Sequence, residues 1–354
     1  MVDWAASDRT ERLRYELVDP FTLESINKTI ECDDETTSIT CDYYGSCIMS
    51  ASSTSVDSTN VVDGYAKGVR IVQELFVDGE RRDQTIGTFL VDSAPSRSEN
   101  GKTTRKMQLY APMIRLSENS FTDDFSRDVG YSVVQEIREI VESEGCLLRV
   151  LPGVDESAKH TQPSFFEIGS AKADAIRQLA GWIGCRIAVD ANGYVTLAPA
   201  RDLSKASPSY VFEAGDNCIY APGFDWNDAG RDVLNRVVLY YTSDAGALRA
   251  YAELPDEAPF SRARTGRNRS SVRSVTEQPS GADLAELAKR TLSDGSTAFA
   301  TIEITAAQNP TLAVGDVVRF VDEIDAQIDV LALVEKIDTT HKLPVQSKIV
   351  LEVI

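Results

Sequence analysis

Residues 170–199 read SAKADAIRQLAGWIGCRIAVDANGYVTLAP, and the period of the pattern changes halfway along. Over 171–183 the apolar residues Ile176, Leu179, Ala180 and Ile183 recur at three- and four-residue spacing, which predicts an amphipathic helix with Ser170 as its N-cap. From Arg186 to Asp190 and from Tyr194 to Ala198 the reading is of two short strands. Between them, Ala191-Asn192-Gly193 contains the Asn-Gly pair that suits a tight hairpin turn. A helix running straight into a hairpin sets one apolar face on another, and Leu179 is expected to be buried in that contact.

The same two periods recur on either side. Leu13, Tyr15 and Leu17 alternate up to the turn residues Asp19 and Pro20. Val69–Val77 and Thr85–Val91 flank Asp78-Gly79 as a second strand pair, and Met107, Leu109 and Ala111 add another alternating set. A helix over 129–144 puts Val133, Val134, Ile137, Ile140 and Val141 on one face and stops at Gly145. A third helix, 281–292, begins at Ser280 with Asp283 three residues on and buries Leu284, Leu287 and Leu292. Strands are expected at 236–254, Ala300–Thr305, Val317–Val321, Val330–Ile337 and Lys348–Ile354, with exposed loops at Arg97–Lys106 and Pro259–Gln278. The fold class is therefore β-rich α+β with three interspersed helices. No repeat of fixed short period is seen, which argues against a solenoid or propeller.

With 354 residues, 42% hydrophobic and 26% charged, the chain has material for a sizeable core. No apolar run approaches the roughly 20 residues needed to span a bilayer, and the first residues lack a signal-peptide pattern, so a cytoplasmic site of synthesis is expected. A net charge of −19 disfavours phosphate binding over most of the surface. Six cysteines without a CxxC pair are read as reduced thiols that pack.

The chemistry-bearing residues are sparse. Only His160 and His341 are present, and the HExxH, GxSxG and P-loop patterns are absent. His160 with Cys146 or Cys185 is the one conceivable nucleophilic pair, and no family signature surrounds either cysteine. Asp190-Ala-Asn192-Gly193 reads as a hairpin turn rather than a calcium loop, and Asp33, Asp34 and Glu35 as a solvated turn. No catalytic, cofactor or metal residue is assigned. The one basic cluster, Arg262, Arg264, Arg267 and Arg269, is the candidate interface, reading as a contact for an acidic protein surface rather than nucleic acid because no aromatic residue interleaves with it.

The order of these elements resembles that of phage tail hub proteins. Lys172-Ala-Asp-Ala-Ile176-Arg-Gln-Leu179-Ala180 matches their helix, and Asp190-Ala-Asn-Gly193-Tyr-Val195-Thr-Leu197-Ala-Pro199 matches the hairpin that follows it. Asn235-Arg-Val237-Val-Leu resembles the strand that opens their next β domain, Ser280–Leu292 its helix, and Pro310-Thr-Leu312-Ala-Val-Gly315-Asp316-Val317 its closing element. The family includes baseplate hubs, siphophage tail-tip proteins and the base of VgrG-type spikes.

The resemblance implies two barrel-like β domains: one over 1–120, a middle region over 121–230 holding the helix and hairpin of 170–199, and a second over 231–354 with an inserted loop and helix at 259–292. It further implies a non-enzymatic virion component that forms a homotrimer, joins the tail tube to the tip and lines part of the DNA exit channel. Expected partners are the distal tube ring, tape-measure and tip or fibre proteins, with no cofactor, no sequence-specific nucleic acid and no membrane insertion of this chain. It would be assembled in the host cytoplasm and carried at the tail tip. The alternatives are a carbohydrate-binding or adhesive virion protein, whose aromatic platform Trp4, Trp182 and Trp226 do not form in sequence, and a tail-associated hydrolase with an unrecognised site.

Overall fold

The computed structural model describes residues 10–45, 48–56, 67–77, 80–93, 95–99, 102–200, 206–213, 220–221, 223–228, 233–243, 246–258, 260–275, 281–296, 300–309, 311–322, 327–342 and 345–354. Alternating side chains near the N-terminus give strands β1 (Thr10–Val18), β2 (Ser25–Ile30), β3 (Cys32–Asp42), β4 (Met49–Ser55), β5 (Gly68–Val77), β6 (Glu80–Ser93), β7 (Ser96–Glu99) and β8 (Lys102–Tyr110). The middle of the chain holds α1 (Ile114–Glu118), β9 (Phe125–Arg127), α2 (Val133–Ser143), β10 (Leu148–Val150), β11 (Ser164–Phe166), α3 (Lys172–Trp182), β12 (Cys185–Val189) and β13 (Val195–Pro199). Next come β14 (Tyr210–Glu213), β15 (Asp225–Asp228), β16 (Arg236–Ser243), β17 (Gly246–Glu253), α4 (Arg262–Thr265), β18 (Ser270–Ser274) and α5 (Gly281–Ser296). The chain ends in β19 (Ala300–Ala307), β20 (Val317–Asp322), β21 (Ile328–Thr340) and β22 (Gln346–Val353).

The chain is β-rich α+β. One long sheet runs β15-β19-β22-β21-β3-β4-β8-β6-β5-β1-β2, so strands from the two ends of the sequence meet where β21 pairs antiparallel with β3, from Lys336 opposite Asp42 to Thr340 opposite Ser38. Among the described residues this path ends at β15 and β2 and does not close on itself. Its two halves carry separate apolar cores, one around Tyr15, Leu17, Val69, Phe89 and Leu109, the other around Phe212, Ile302, Phe320, Val334 and Leu351.

Several local expectations are corrected. Ala171, not Ser170, occupies the N-cap position of α3, and it makes no side-chain cap. On α5, Leu284, Ala288 and Leu292 are buried at four-residue spacing, whereas Leu287 is 41% exposed because it points off that stripe. Where an exposed loop was expected over 97–106, β7 and β8 pair antiparallel from Ser96 opposite Arg105 to Glu99 opposite Lys102. Residues 259–278 contain α4 and β18, and Ser280 lies outside the described residues, as do Asp78, Gly79, Cys47 and Cys218.

A two-copy duplication, not anticipated from periodicity, organises the middle of the chain. Each residue of 119–150 corresponds to the one 39 positions later in 158–189, so Gly130, Gly145 and Cys146 match Gly169, Gly184 and Cys185. The four glycines have paired positive φ values, 87° and 87° at the first position and 66° and 63° at the second. Buried positions correspond as well: Val134, Glu136, Ile137, Ile140 and Val141 match Ala173, Ala175, Ile176, Leu179 and Ala180.

The two copies are intertwined about a pseudo-two-fold axis. Phe121 N–H donates to Ser170 O at 3.0 Å, and its counterpart His160 N–H donates to Tyr131 O at 2.9 Å. Gly169 N–H donates to Phe121 O at 2.8 Å, and Gly130 N–H to His160 O at 2.9 Å. β9 and β11 pair antiparallel with Ser126 opposite Phe165 at the centre, and each of these residues is the other's counterpart. The packed faces of α2 and α3 form one core with Val195 and Leu197 of the hairpin.

Candidate assembly interface

The four arginines stand on a segment held by hydrogen bonds. Asn235, fully buried at the start of β16, donates through Nδ2 to Phe260 O at 3.2 Å and Arg267 O at 2.8 Å, and accepts from Arg269 N–H at 2.8 Å. Backbone bonds add to this: Asn235 N–H donates to Arg269 O at 3.0 Å and Leu254 N–H to Asn235 O at 3.0 Å. Buried Ser261 caps α4, its hydroxyl accepting from Arg264 N–H at 3.3 Å and donating to Asp256 O at 2.8 Å, and Gly266 ends the turn at φ 67°. An asparagine suits this position because its amide supplies two donors and an acceptor on one short side chain.

Arg262, Arg264 and Arg267 are exposed, while Arg269 is half-buried with Nη1 lacking a hydrogen-bond partner. Among the described residues none of the four forms an ion pair with a carboxylate. The segment therefore presents positive charge on a fixed backbone, which is what a surface for an acidic partner requires.

The histidines occupy buried sites. His160 Nε2 meets one oxygen of Glu136, and the other oxygen of Glu136 accepts from Ser164 Oγ at 2.7 Å, with all three residues buried. The carboxylate lies between the hydroxyl and the imidazole, whereas a nucleophilic serine needs the imidazole directly beside it. The Trp182 ring meets His160 edge-on at 5.6 Å. Cys146 and Cys185 are buried too. Burial pushes the Cys146 thiol up to about 11 and raises that of Cys185, the reverse of what activates a cysteine.

The duplication explains the His160 site: its counterpart holds Phe121, Ala175 and Phe125 where His160, Glu136 and Ser164 stand. There Phe121 stacks on Phe125 at 5.0 Å and on Phe166 at 5.6 Å. One fold position thus exists twice in this chain, once apolar and once polar. Asp190 is read correctly as a turn residue, its Oδ1 accepting from Asn192 and Tyr194 N–H. Asp34, expected on a solvated turn, instead accepts from Leu13 N–H at 2.9 Å and Tyr15 O–H at 3.1 Å.

His341 follows β21 and borders a cleft of about 330 Å³ lined by Ile39, Met49, Ile86, Arg186 and Val314. Its Nε2 is buried without a partner, and burial lowers its pKa from 6.5 to about 4. The unfolded chain therefore binds a proton that the folded chain refuses between these values. The contribution of His341 to stability is complete above pH 6.5 and falls as pH drops towards about 4. The loss amounts to about 3 kcal/mol. Unfolding free energies of wild type and His341→Gln should accordingly converge across this window; parallel pH curves would refute the assignment.

No protein-family model matches the chain, and no curated protein matches it in sequence. Solved structures do. The tail protein from Neisseria meningitidis MC58 superposes with a TM-score of 0.68 at 14% identity, covering 96% of each chain. The fold is that of phage tail proteins. The 43 kDa tail protein of prophage MuSo2 from Shewanella oneidensis shares it with a TM-score of 0.64 at 15% identity, over 97% of this chain and 98% of that one. The E. coli c3393 protein, a component of the type VI secretion system, shares it with a TM-score of 0.54 at 10% identity, over 97% of this chain and 77% of that one. In this tail-protein fold the arginine segment is tied to Asn235 just before β16 and leads into β18 of the three-stranded sheet β17-β16-β18.

Proposed function

We propose that this chain is a structural component of a tail tip or baseplate hub, joining the tail tube to the tip and contributing to the wall of the DNA exit channel. The observation that carries the reading is the extent of the likeness: two tail proteins match over nearly their whole length, with no domain of either left over. In this reading the β-rich halves act as two barrel-like domains, 1–120 and 231–354, around a middle region of 121–230. The protein is not an enzyme; its polar buried groups hold the fold. Copies assemble as a homotrimer in the host cytoplasm, contact the tube ring, tape-measure and tip or fibre proteins, and are carried in the virion.

The net charge of −19 suits a wall past which DNA must slide without sticking. The arginine segment serves as a protein contact within that assembly. Light scattering on the chain, alone and co-expressed with the tail-tube ring protein, is expected to give a particle or subcomplex containing three copies of the 38.8 kDa chain. A chain that stays monomeric in both preparations would overturn the hub reading.

A further inference from the structure

Among the described residues, the unit formed by β16, β17, β18 and α5 is covered on one side only. Val237, Leu239 and Ala252 pack against Leu284, Ala288 and Leu292 of α5. On the other face the registers align Tyr251, Val238 and Val272 in one row across the three strands, with Tyr251 69% and Val272 62% exposed. Arg236, Arg249 and Glu253 share that face, two cations to one carboxylate, with the Arg236 guanidinium 5.7 Å from the centre of the Tyr251 ring. An apolar row ringed by arginine and tyrosine has the composition of an interface centre.

Charge is segregated along the chain. Residues 236–275 contain seven arginines and four acids, a net of +3, so the rest of the chain carries −22. Residues 117–168 alone hold eleven acids against four cations, a net of −7. They end both copies of the duplication's first turn in the same way: Asp128-Val129-Gly130 and Glu167-Ile168-Gly169. Val129 is 60% and Ile168 66% exposed, and each follows an exposed acid. The two copies differ at buried positions as large as Phe121 and His160 yet both keep this exposed aliphatic beside an acid.

We infer that the Tyr251-Val238-Val272 face of one molecule docks on the acid-aliphatic-glycine turns of a second copy of the same chain. The contact is heterologous, because pairing the face with itself would bring together two surfaces that each hold two arginines to one carboxylate. An exposed aliphatic tip meets the apolar row while Asp128 or Glu167 meets the surrounding guanidiniums. The proposal deepens the hub reading by naming which surfaces of neighbouring copies meet, and it rests on that reading only in taking copies to lie side by side.

The test uses the full-length chain and sedimentation at low and high salt. Wild type should self-associate, less so at high salt. Tyr251→Asp with Val272→Asp, the face reversal Arg249→Glu, and the turn reversal Asp128→Arg with Glu167→Arg should each weaken association at least about tenfold, at unchanged melting temperature, since all five positions are exposed. A chain carrying both charge reversals should regain association. Undiminished association in the single sets, failure of the combined chain to recover, or a monomeric wild type would overturn the proposal. So would wild-type binding of a DNA duplex lost in the same face variants. A wild type that joins a three-copy complex with the tube ring through other surfaces would defeat this proposal and leave the hub reading standing.

Discussion

Leu179→Asp is expected to leave little or no folded protein. Leu179 is fully buried on α3, in a core with Ile176, Ala180, Val195 and Leu197, and its counterpart Ile140 fills the equivalent place on α2. Removing the side chain alone costs about 2–5 kcal/mol, and a carboxylate with no partner in that core adds several more. Total stabilities are about 5–15 kcal/mol, so the change approaches or exceeds the whole. Thermal unfolding and soluble yield measure it, with Leu179→Met as the control expected within about 1.5 kcal/mol of wild type. Soluble Leu179→Asp protein with an unchanged melting temperature would show that the core lies elsewhere.

Glu136→Ala should be nearly as damaging, for a different reason. The substitution leaves His160 Nε2 and the Ser164 hydroxyl buried and unpaired, and removing one member of a buried pair typically costs about 3–5 kcal/mol. The duplication supplies the matching rescue. Glu136→Ala, His160→Phe and Ser164→Phe together copy the Ala175, Phe121 and Phe125 set that this chain already packs 39 positions away. Replacing a whole buried polar network by well-packed apolar groups is often neutral or better, so the triple variant should recover most of the lost stability in denaturant unfolding. A triple variant no more stable than the single one would show that the two sites differ in more than these three side chains. His160 and His341 are both buried, so replacing either with alanine also removes packing.

Where a periodic pattern is long, local structure was readable. The helix over 129–144 appears as α2, that over 171–183 as α3, and the predicted strands from Ala300 to Ile354 as β19 to β22, because an amphipathic period of 3.6 or 2 reports which face will be buried. The arginine cluster was readable as a charge feature, but its support was not. Asn235 shows in sequence only as the first residue of a strand, and the carbonyls of Phe260 and Arg267 that it holds are more than twenty residues away. The duplication left a faint signal in the matched Gly130…Gly145-Cys146 and Gly169…Gly184-Cys185 spacing. It was easy to miss, since a core constrains size and polarity rather than identity and so accepts His160 and Glu136 for Phe121 and Ala175.

By itself, then, the sequence determined the α+β class, the faces of α2 and α3, the hairpin at Asn192-Gly193 and the confinement of excess positive charge to one segment. These depend on neighbours within a turn or two of chain. Tertiary structure alone decided that β21 pairs with β3, that the two copies interlock across β9 and β11, that Glu136 finds His160 and Ser164, and that Tyr251, Val238 and Val272 share one open row. Each of those joins residues distant in sequence. Such pairings are selected by the collective burial of whole sheet and helix faces, which no local period records.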